Sequence, residues 1–393
     1  MTIVEILDRL VSLDSVVGTP NGEIVGWISD YLRSHGAKVS LVPGPEGDRA
    51  NLFATVGPAD KAGFILSGHM DVVPAGEPGW TSNPFKLRVQ GERLYGRGTA
   101  DMKGFLAAAL AAVPALAKMR LSRPIHLAFS YDEEAGARGV PHLIARLSDL
   151  CAKPSAAIIG EPSNMQGIRG HKGKVAARVT VKGTAGHSSR PDLGVNAIHA
   201  MAEVLNAVIR QAERLTEGPL NPAFEPPYST VQAGVVSGGQ AINIIPDRCV
   251  IEVEARAVYG VDPAELTTGQ RSIAKMINFG IVYGISAFGL SAVDRLRAKR
   301  IEAEWAQMSA YPALLLPEDA PLVRLVRDLT GKEPLPAVSY GTEAGLYQGA
   351  GIDAIICGPG DIRHAHKPDE FILASDLVAC RRMIETLGER CIG

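Results

Sequence analysis

The sequence predicts an α/β protein: a domain with a mixed, largely parallel sheet flanked by helices, into which an α+β module with an antiparallel sheet is inserted. Apolar strand-like segments alternate with helical segments in the first part of the chain, which favours a parallel sheet. Three of these strand-like segments end in histidine or carboxylate residues. After HKGK, apolar and polar residues alternate strictly, which is typical of antiparallel strands.

The first domain begins with two amphipathic helical patterns that end near His35, followed by the strand-like segments KVSLVP and NLFATVG. FILSGHMDVVP is an apolar strand ending in polar residues, and MKGFLAAALAAVPALAKM is a helix whose alanines suit close packing. PIHLAFSYDEE and SAAIIGEPS repeat the plan of an apolar strand that ends in carboxylates. Ligands of parallel sheets gather beyond the carboxyl ends of the strands, so we expect these polar groups to meet there.

The inserted module comprises the strand VAARVTVKGTAG, a helix from about Val195 to Leu215, and the strands STVQAGVVSGG and CVIEVEARAV. The segment IEAEWAQMSAYPALLL is strand-like and leads back to the first domain. That domain ends with AIICGPG and a final helix from Ala374 to Leu387. The module is therefore expected to interrupt the first domain.

The charge balance argues against a nucleic-acid-binding protein. The 40 Lys and Arg residues nearly balance the 42 Asp and Glu residues, whereas binding to phosphate backbones requires a strongly positive surface. The five cysteines are odd in number and never form a C-x-x-C pair, which disfavours a disulfide framework. The opening MTIVEILDRLVSLDSV has neither the basic start nor the long apolar core of a secretion signal. We therefore expect a cytoplasmic protein.

The segment SGHMDVV contains a candidate metal ligand and its partner. It places His69 and Asp71 two residues apart in a strand, so their side chains leave the same face. A neutral imidazole binds zinc while a nearby carboxylate orients it through the other ring nitrogen. Taken alone, the pair is more typical of a hydrogen-bonded surface pair.

Three further carboxylates follow in glycine-flanked turns and strand ends. GRGTADMKG places Asp101 before a helix, where it suits either a carboxylate bridging two ions or an ordinary helix cap. YDEEAG supplies the adjacent Glu133 and Glu134. Two neighbouring carboxylates are costly to charge together unless a cation compensates, and they can divide the work between ligand and base. A solvated loop is the alternative for this pair alone.

The set is completed by Glu161 in IIGEPS and His366 in HAHKPDE. Together the five segments offer imidazole nitrogens and carboxylate oxygens, the ligand set that suits paired zinc ions. The combination in this order favours a dinuclear metal centre over coincidence.

The motifs SGHMDVVP, LYGRGTADMKGF, DEEAG, IIGEPS, RGHKG, GHSSRPDLGVNAI and GPGDIRHAHKPDE resemble those of a family of dinuclear zinc amidohydrolases and metallopeptidases. The family includes acetylornithine deacetylase, succinyl-diaminopimelate desuccinylase and glutamate carboxypeptidase, and the motifs are most similar to those of the acetylornithine deacetylases. The similarity spans almost the whole chain except residues 271–291. It implies a catalytic domain formed by 1–174 and 308–393, and a lid and dimerisation domain formed by 175–307.

The resemblance also implies a role for each candidate residue. Asp101 would bridge two zinc ions, for which cobalt can substitute; His69 and Glu161 would complete one site, and Glu134 and His366 the other. Two further residues match catalytic positions of the family, with Glu133 as the general base and Asp71 as the residue that steadies the imidazole.

Three residues of the inserted module match substrate-binding positions of the family. His187, in GHSS, corresponds to a histidine that in relatives reaches the active site of the partner subunit and stabilises the oxyanion. Asn243 and Arg256 match positions that contact substrate, and an arginine can grip a carboxylate through two hydrogen bonds. The structural alternatives are a strand-end histidine with one backbone bond and an arginine in an ordinary ion pair.

The resemblance implies hydrolysis of the amide bond of an N-acyl amino acid by a homodimer that binds neither nucleic acid nor membrane. N2-acetyl-L-ornithine, which would yield L-ornithine and acetate in arginine biosynthesis, is the expected substrate. A related aminoacylase, desuccinylase or carboxypeptidase activity is the alternative. Glu343, in YGTEAGLY, is a candidate partner for a cationic substrate side chain.

The stretch RSIAKMINFGIVYGISAFGLS, residues 271–291, does not fit this family pattern. Read as a helix, it places Arg271, Lys275, Phe279 and Tyr283 at steps of four, and it resembles the fingers helix of family A DNA polymerases. A polymerase also needs magnesium-binding carboxylates and a large basic cleft, which the rest of the chain does not supply. A nucleotide- or DNA-binding role through this stretch remains the alternative from another class of function.

Overall fold

The computed structural model describes residues 1–278 and 301–393. The chain divides into two compact units: unit 1 comprises Met1–His171 and Leu314–Gly393, and unit 2 comprises Lys172–Ala313. These boundaries lie a few residues outside the positions 175 and 307 inferred from the sequence, because they fall beyond the ends of the strands that border unit 2.

The helices of the described residues are α1 (Ile3–Ser12), α2 (Gly22–Ser34), α3 (Gly104–Leu116), α4 (Val140–Ile144), α5 (Leu147–Leu150), α6 (Ala197–Leu215), α7 (Thr268–Asn278), α8 (Pro321–Thr330), α9 (Ala344–Gly349) and α10 (Ala374–Glu389). The strands are β1 (Lys38–Pro43), β2 (Ala50–Val56), β3 (Phe64–His69), β4 (Arg88–Gln90), β5 (Arg93–Tyr95), β6 (Ile125–Ser130), β7 (Ala156–Pro162), β8 (Gly170–His171), β9 (Gly173–Lys182), β10 (Gly186–His187), β11 (Thr230–Gly238), β12 (Ile244–Ile245), β13 (Arg248–Ala257), β14 (Glu302–Tyr311), β15 (Leu314–Leu315), β16 (Ala354–Gly358) and β17 (Phe371–Leu373).

Unit 1 is built on a six-stranded sheet with the strand order β1-β2-β6-β3-β7-β16. Strands β6, β3, β7 and β16 run parallel, whereas β1 and β2 add an antiparallel edge. The sheet is mixed and largely parallel, which confirms the predicted fold class. Because β6, β3 and β7 are parallel neighbours, their carboxyl ends meet at one edge of the sheet.

Helix α3 forms the apolar centre of unit 1. All of its residues from Gly104 to Val113 are buried, and it packs against α1 and α10. A helix that is enclosed on every side needs no polar face, which explains its alanine-rich sequence. The ring of Phe105 lies against Gly160, where a Cβ atom would stand 2.0 Å from the ring, so only glycine fits beside Glu161.

Unit 2 contains a four-stranded antiparallel sheet with the order β11-β13-β9-β14. Alternate residues of β13 are buried, and they share a core with the apolar face of α6. This period of two is the pattern that the sequence shows in CVIEVEARAV. The predicted α+β module with an antiparallel sheet is therefore confirmed.

The polymerase-like stretch is only partly described. Its first residues belong to α7, where Arg271 and Lys275 are exposed and Ala274 is buried. Residues 279–291, which include Phe279 and Tyr283, lie outside the described residues. The helical interpretation is therefore confirmed for 271–278 and stays a prediction for 279–291.

One helical segment of the described residues, Thr99–Leu116, has the length and apolar composition of a membrane span. Within it, 89% of the residues are buried inside the protein. The segment comprises α3 and the turn before it, so its apolar character serves the core of unit 1.

Candidate metal centre

The polar residues that end the central strands of unit 1 meet at the carboxyl edge of the sheet. His69 is the last residue of β3, Glu161 is the sixth of the seven residues of β7, and Glu133 and Glu134 follow β6. Asp101 comes from the turn before α3, and His366 from the loop before β17. The structure therefore brings together side chains from five segments that are far apart in sequence.

His69 is buried and orients one ring nitrogen towards the acidic cluster. Its Nδ1 donates a hydrogen bond to the backbone carbonyl oxygen of Asp71 at 2.9 Å. Its Nε2 lies 3.0 Å from Oδ1 of Asp101 and 3.9 Å from Oε1 of Glu161. With the hydrogen on Nδ1, a neutral ring presents a lone pair to these carboxylates, so a cation or a proton is needed at that position.

Asp101 lies between the two imidazoles of the cluster. While Oδ1 faces His69, Oδ2 lies 3.3 Å from Nε2 of His366. The turn that presents this side chain begins after Gly98, which has a φ of +80° that favours glycine. One carboxylate that faces two imidazoles has the arrangement required of a ligand shared by two ions.

Glu134 and Glu161 lie in different parts of the cluster: Glu134 is near His366, and Glu161 is near His69. Glu134 lies with Oε1 2.8 Å from Nε2 of His366. Ligand atoms of His69, Asp101 and Glu134 lie within 4.8 Å of one another, as do those of His69, Glu133 and Glu161. Glu133, the predicted general base, is thus as close to this cluster as the expected ligands are.

Asp71 has a wider role than the sequence indicated. Strand β3 ends at His69, so Asp71 lies beyond the strand, and its contact with the imidazole at 2.9 Å is through its carbonyl oxygen. The carboxylate is 3.6 Å from Nδ1 of His69 and accepts the backbone N–H groups of Glu133 and Glu134, each at 3.1 Å. Asp71 therefore contacts two parts of the cluster. It holds the imidazole of His69, and it also holds the turn that carries Glu133 and Glu134.

Burial dominates the electrostatics of this cluster. Burial and the neighbouring carboxylates raise the pKa of Glu133 and of Glu161 well above their ordinary value. Burial also raises the pKa of Asp71, to about 6. Although burial alone would raise the pKa of Asp101, hydrogen bonds from His366 and His69 hold it below its ordinary value. Hydrogen bonds to Asp101 and Glu134 raise the pKa of His366 to about 10.

The residues present fit a pair of divalent cations. Buried carboxylates that repel one another, and imidazoles that are cationic beside them, are what a metal site is expected to display without its ions. The donors are imidazole nitrogens and carboxylate oxygens, which bind zinc and other first-row divalent metals. Because Nδ1 of His69 donates to a carbonyl oxygen, Nε2 is the ring atom that would bind a metal ion.

Glu343 is engaged inside unit 1, which corrects its interpretation as a partner for a cationic substrate. The residue is 1% exposed, and its carboxylate accepts hydrogen bonds from the hydroxyls of Ser67 and Ser130, the latter at 2.8 Å. These serines lie on β3 and β6, just before the segments that supply candidate metal ligands. Glu343 therefore ties the two strands together beneath the cluster.

In unit 2, His187 and Asn243 lie close together on an exposed strand pair. His187 pairs with Ile244 between β10 and β12, and the carbonyl oxygen of Asn243 accepts the N–H of Ser188 at 3.0 Å. Nδ1 of His187 accepts the N–H of Ser189 at 3.2 Å. The neutral ring therefore carries its hydrogen on Nε2, which can act as a donor.

Arg256 is part of an ion-pair cluster in unit 2. Its guanidinium donates to Glu254 through Nε at 2.8 Å and Nη2 at 3.2 Å, and through Nη1 to the hydroxyl of Tyr311 at 3.2 Å. Lys174 contacts the same glutamate at 3.2 Å. Because Nε and Nη2 of Arg256 both donate to Glu254, a substrate carboxylate would have to compete with Glu254 for these two donors.

Comparison with known proteins identifies relatives along nearly the whole chain. The sequence profile of peptidase family M20/M25/M40 matches residues 65–390. The acetylornithine deacetylase of Photorhabdus laumondii subsp. laumondii is 32% identical over 391 residues, which cover 98% of this chain and 96% of that protein.

Solved structures share the fold at lower sequence identity. The M20 family metallo-carboxypeptidase Sso-CP2 from Sulfolobus solfataricus has a TM-score of 0.76 at 18% identity, covering 99% of both chains. The YxeP protein of Bacillus subtilis, a dinuclear metal-binding peptidase, has a TM-score of 0.62 at 14% identity, covering 98% of this chain and 96% of that one. This chain therefore shares its fold with these proteins.

Proposed function

The chain belongs to peptidase family M20/M25/M40, and on that premise we propose that it hydrolyses N2-acetyl-L-ornithine to L-ornithine and acetate, a reaction of arginine biosynthesis. Members of this family are metal-dependent amidohydrolases. The observation that carries the choice of substrate is the 32% identity to an acetylornithine deacetylase over nearly the full length of both chains.

The proposed metal centre contains two zinc ions, for which cobalt can substitute. Asp101 would be shared by both ions, with His69 and Glu161 on one side and Glu134 and His366 on the other. When bound, such ions supply positive charge that polarises the amide carbonyl and lowers the pKa of a water molecule. The relation of Asp101 to the two imidazoles, at 3.0 and 3.3 Å, supports this division.

Glu133 is the proposed proton carrier of the reaction. Its carboxylate lies beside His69 and Glu161 at the edge of the ligand cluster, and burial raises its pKa, which favours proton uptake. It would take a proton from the attacking water and deliver it to the leaving amine. Asp71 would hold Glu133 in position, since it accepts the backbone N–H of that residue.

His187 is proposed to stabilise the oxyanion with a hydrogen bond from Nε2. The contact of Nδ1 with the N–H of Ser189 supports this role, because it leaves the ring hydrogen on Nε2. Asn243 and Arg256 are proposed to contact the substrate, with Arg256 facing its α-carboxylate. In the family, the histidine at this position acts on the partner subunit, so we propose a homodimer formed through unit 2.

We propose that this homodimer uses the exposed edge of the unit 2 sheet. Strand β11 is at the edge of that sheet, and Val235 and Val236 are 51% and 64% exposed. Exposed apolar residues on an edge strand are a surface that pairs with another chain. The proposed cytoplasmic location is supported by the five free cysteines, because a reducing compartment keeps thiols unpaired.

The substrate assignment is tested by hydrolysis of a panel of N-acyl amino acids. The protein is chelated, restored with zinc or cobalt, and assayed with N2-acetyl-L-ornithine, N-acetyl-L-methionine, N-succinyl-L,L-diaminopimelate and an unblocked dipeptide. We expect hydrolysis to require metal and kcat/KM to be highest for N2-acetyl-L-ornithine. A higher kcat/KM for any other compound would replace the proposed substrate and retain the metal-dependent reaction.

A further inference from the structure

Arg97 and Glu370 form a buried ion pair behind the metal-ligand cluster. Each residue is 1% exposed, and Nη1 of Arg97 donates to Oε2 of Glu370 at 2.9 Å. Removing two charges from water is costly, so such a pair is favourable only when its other hydrogen-bonding atoms are also satisfied. Nε of Arg97 has no hydrogen-bond partner within the described residues, whereas the partners of the remaining atoms connect the pair to two segments that supply candidate ligands.

Glu370 holds the backbone of the turn that presents Asp101. Its Oε1 accepts the N–H groups of Ala100 at 2.9 Å and of Asp101 at 3.1 Å. The side chain of Asp101 therefore leaves a peptide that is fixed on its amino side by a charged acceptor.

Arg97 holds the loop that presents His366. Nη1 lies 3.4 Å from the carbonyl oxygen of Lys367, which follows the histidine directly. Nη2 donates to the carbonyl oxygen of Pro74 at 3.2 Å and to Glu77. His366 has a φ of +58°, an uncommon conformation for a residue other than glycine, so its loop needs contacts that fix it.

We propose that Arg97 and Glu370 are positioning residues. They hold the backbones of Asp101 and His366 in the positions that metal binding requires, and they thereby set the affinity of the centre for metal ions. The pair acts through main-chain groups and leaves the ligand atoms free for the ions. This inference rests on the proposed metal centre and adds to it two residues that lie outside the ligand set.

The last helix of unit 1 offers a matched control pair. On α10, Nε of Arg381 donates to Oε1 of Glu385 at 2.8 Å, and the arginine side chain is 43% exposed. It joins residues of one helix and contacts neither ligand segment in the described structure. Replacing Glu385 therefore removes an ion pair of similar length without disturbing the loops at the metal centre.

The test measures metal binding directly. Chelated wild type and the variants Glu370→Ala, Glu370→Gln, Arg97→Lys and Glu385→Gln are titrated calorimetrically with zinc, and the absorption spectra of their cobalt forms are recorded. We expect the Glu370 variants to lose 10- to 100-fold in affinity, roughly the effect of removing a group that orients a ligand, for at least one ion. Their cobalt spectra should shift, because the ligand geometry changes. Arg97→Lys retains the positive charge but loses the two separate Nη donors of the guanidinium. Its zinc affinity should lie between that of the Glu370 variants and that of wild type.

Circular dichroism of the chelated proteins separates positioning from folding. If Glu370→Ala does not fold, Glu370→Gln decides the question, because its single amide oxygen cannot accept both the N–H groups of Ala100 and Asp101 and the guanidinium of Arg97. Folded Glu370→Gln and Arg97→Lys proteins with wild-type zinc affinity and cobalt spectra would overturn the proposal, even if their melting temperatures fell. A wild type that binds no divalent metal would overturn the metal centre and this inference together. A wild type that binds metal but does not hydrolyse N2-acetyl-L-ornithine would contradict only the substrate assignment.

Discussion

Glu133 is the residue on which the proposed proton transfer depends. Its carboxylate lies beside His69 and Glu161, and its backbone is held by Asp71. We predict that Glu133→Gln reduces kcat by about 10²- to 10⁴-fold, the usual contribution of a general acid–base group. Zinc content should remain that of wild type, because the five proposed ligands are intact.

Metal analysis and steady-state kinetics on the same preparation check this prediction. Glu385→Gln is a suitable control, since its carboxylate lies on α10 and takes no part in the cluster. A metal-loaded Glu133→Gln enzyme that turns over within a few-fold of wild type would refute the role of Glu133. Loss of metal with loss of activity would instead identify Glu133 as a ligand.

His126 predicts a pH dependence of stability that is independent of the metal centre. The residue is fully buried on β6; Nδ1 contacts the hydroxyl of Thr55 at 3.0 Å, and Nε2 has no partner within the described residues. Burial lowers the pKa of this imidazole from 6.5 to about 4. Between these values the unfolded chain binds the proton and the folded protein does not, so stability falls as the pH decreases.

The size of the effect follows from the shift. At about 1.4 kcal/mol per pKa unit, His126 should remove about 3 kcal/mol of unfolding free energy between pH 6.5 and pH 4, with little change beyond that window. Denaturant unfolding of the chelated protein at a series of pH values measures this loss. His126→Phe should lose less stability over the same window, whereas His142→Gln, at an exposed position, should behave as wild type. Equal slopes for all three proteins would show that His126 is not responsible.

At the residue scale, the cluster of candidate ligands could be predicted from the polar residues at strand ends. Residues that act through backbone hydrogen bonds could not be predicted in this way. His69, Glu133 and Glu161 were accessible to prediction because apolar strands ending in polar residues converge at one edge of a parallel sheet. The contacts of Glu370 with main-chain N–H groups leave no such pattern, although this residue ends the motif HAHKPDE. Glu343 was misinterpreted because a carboxylate in a loop gives no sign that two serine hydroxyls bury it.

At the scale of elements, strand β11 makes a prediction about association. It forms the edge of the unit 2 sheet and exposes Val235 and Val236, and Ile242 follows in the next loop, fully exposed. We predict that Val236→Lys weakens dimer formation by about tenfold or more, because two lysines would face each other across a two-fold interface. Sedimentation over a range of protein concentrations measures this change.

A matched control for this substitution lies in unit 1. Val89, on β4, is 60% exposed, close to the 64% of Val236, so Val89→Lys introduces the same charge on a strand of unit 1. It should leave association unchanged. An unaltered dimer in Val236→Lys would place the interface elsewhere, and a monomeric wild type would remove the homodimer from the proposal.

Most helices and strands were predictable because the spacing of apolar residues along the sequence indicates which side chains are buried. The alternation in β13 and the all-apolar helix α3 each have the pattern that their surroundings require. The antiparallel edge formed by β1 and β2 was not predicted, because a short strand's sequence does not encode the direction of its neighbour. The prediction for 279–291 lies outside the described residues and remains untested.

At the scale of the whole molecule, the residues assigned to catalysis are divided between the two units. Glu133 and the proposed metal ligands belong to unit 1, whereas His187, Asn243 and Arg256 belong to unit 2. If His187 serves the active site of the partner subunit, one complete site needs the unit 1 of one chain and the unit 2 of another. Two inactive variants with defects in different units should then complement each other.

We predict that Glu133→Gln and His187→Ala, each nearly inactive alone, regain activity when they are dissociated, mixed in equal amounts and reassociated. Half of the dimers would be mixed, and each would contain one site with Glu133 from one chain and His187 from the other, so about a quarter of wild-type activity should return. Mixing Glu133→Gln with the double variant Glu133→Gln/His187→Ala is the control and should restore nothing. If the first mixture stayed inactive although mass spectrometry detected mixed dimers, His187 would have to act within its own chain or not at all.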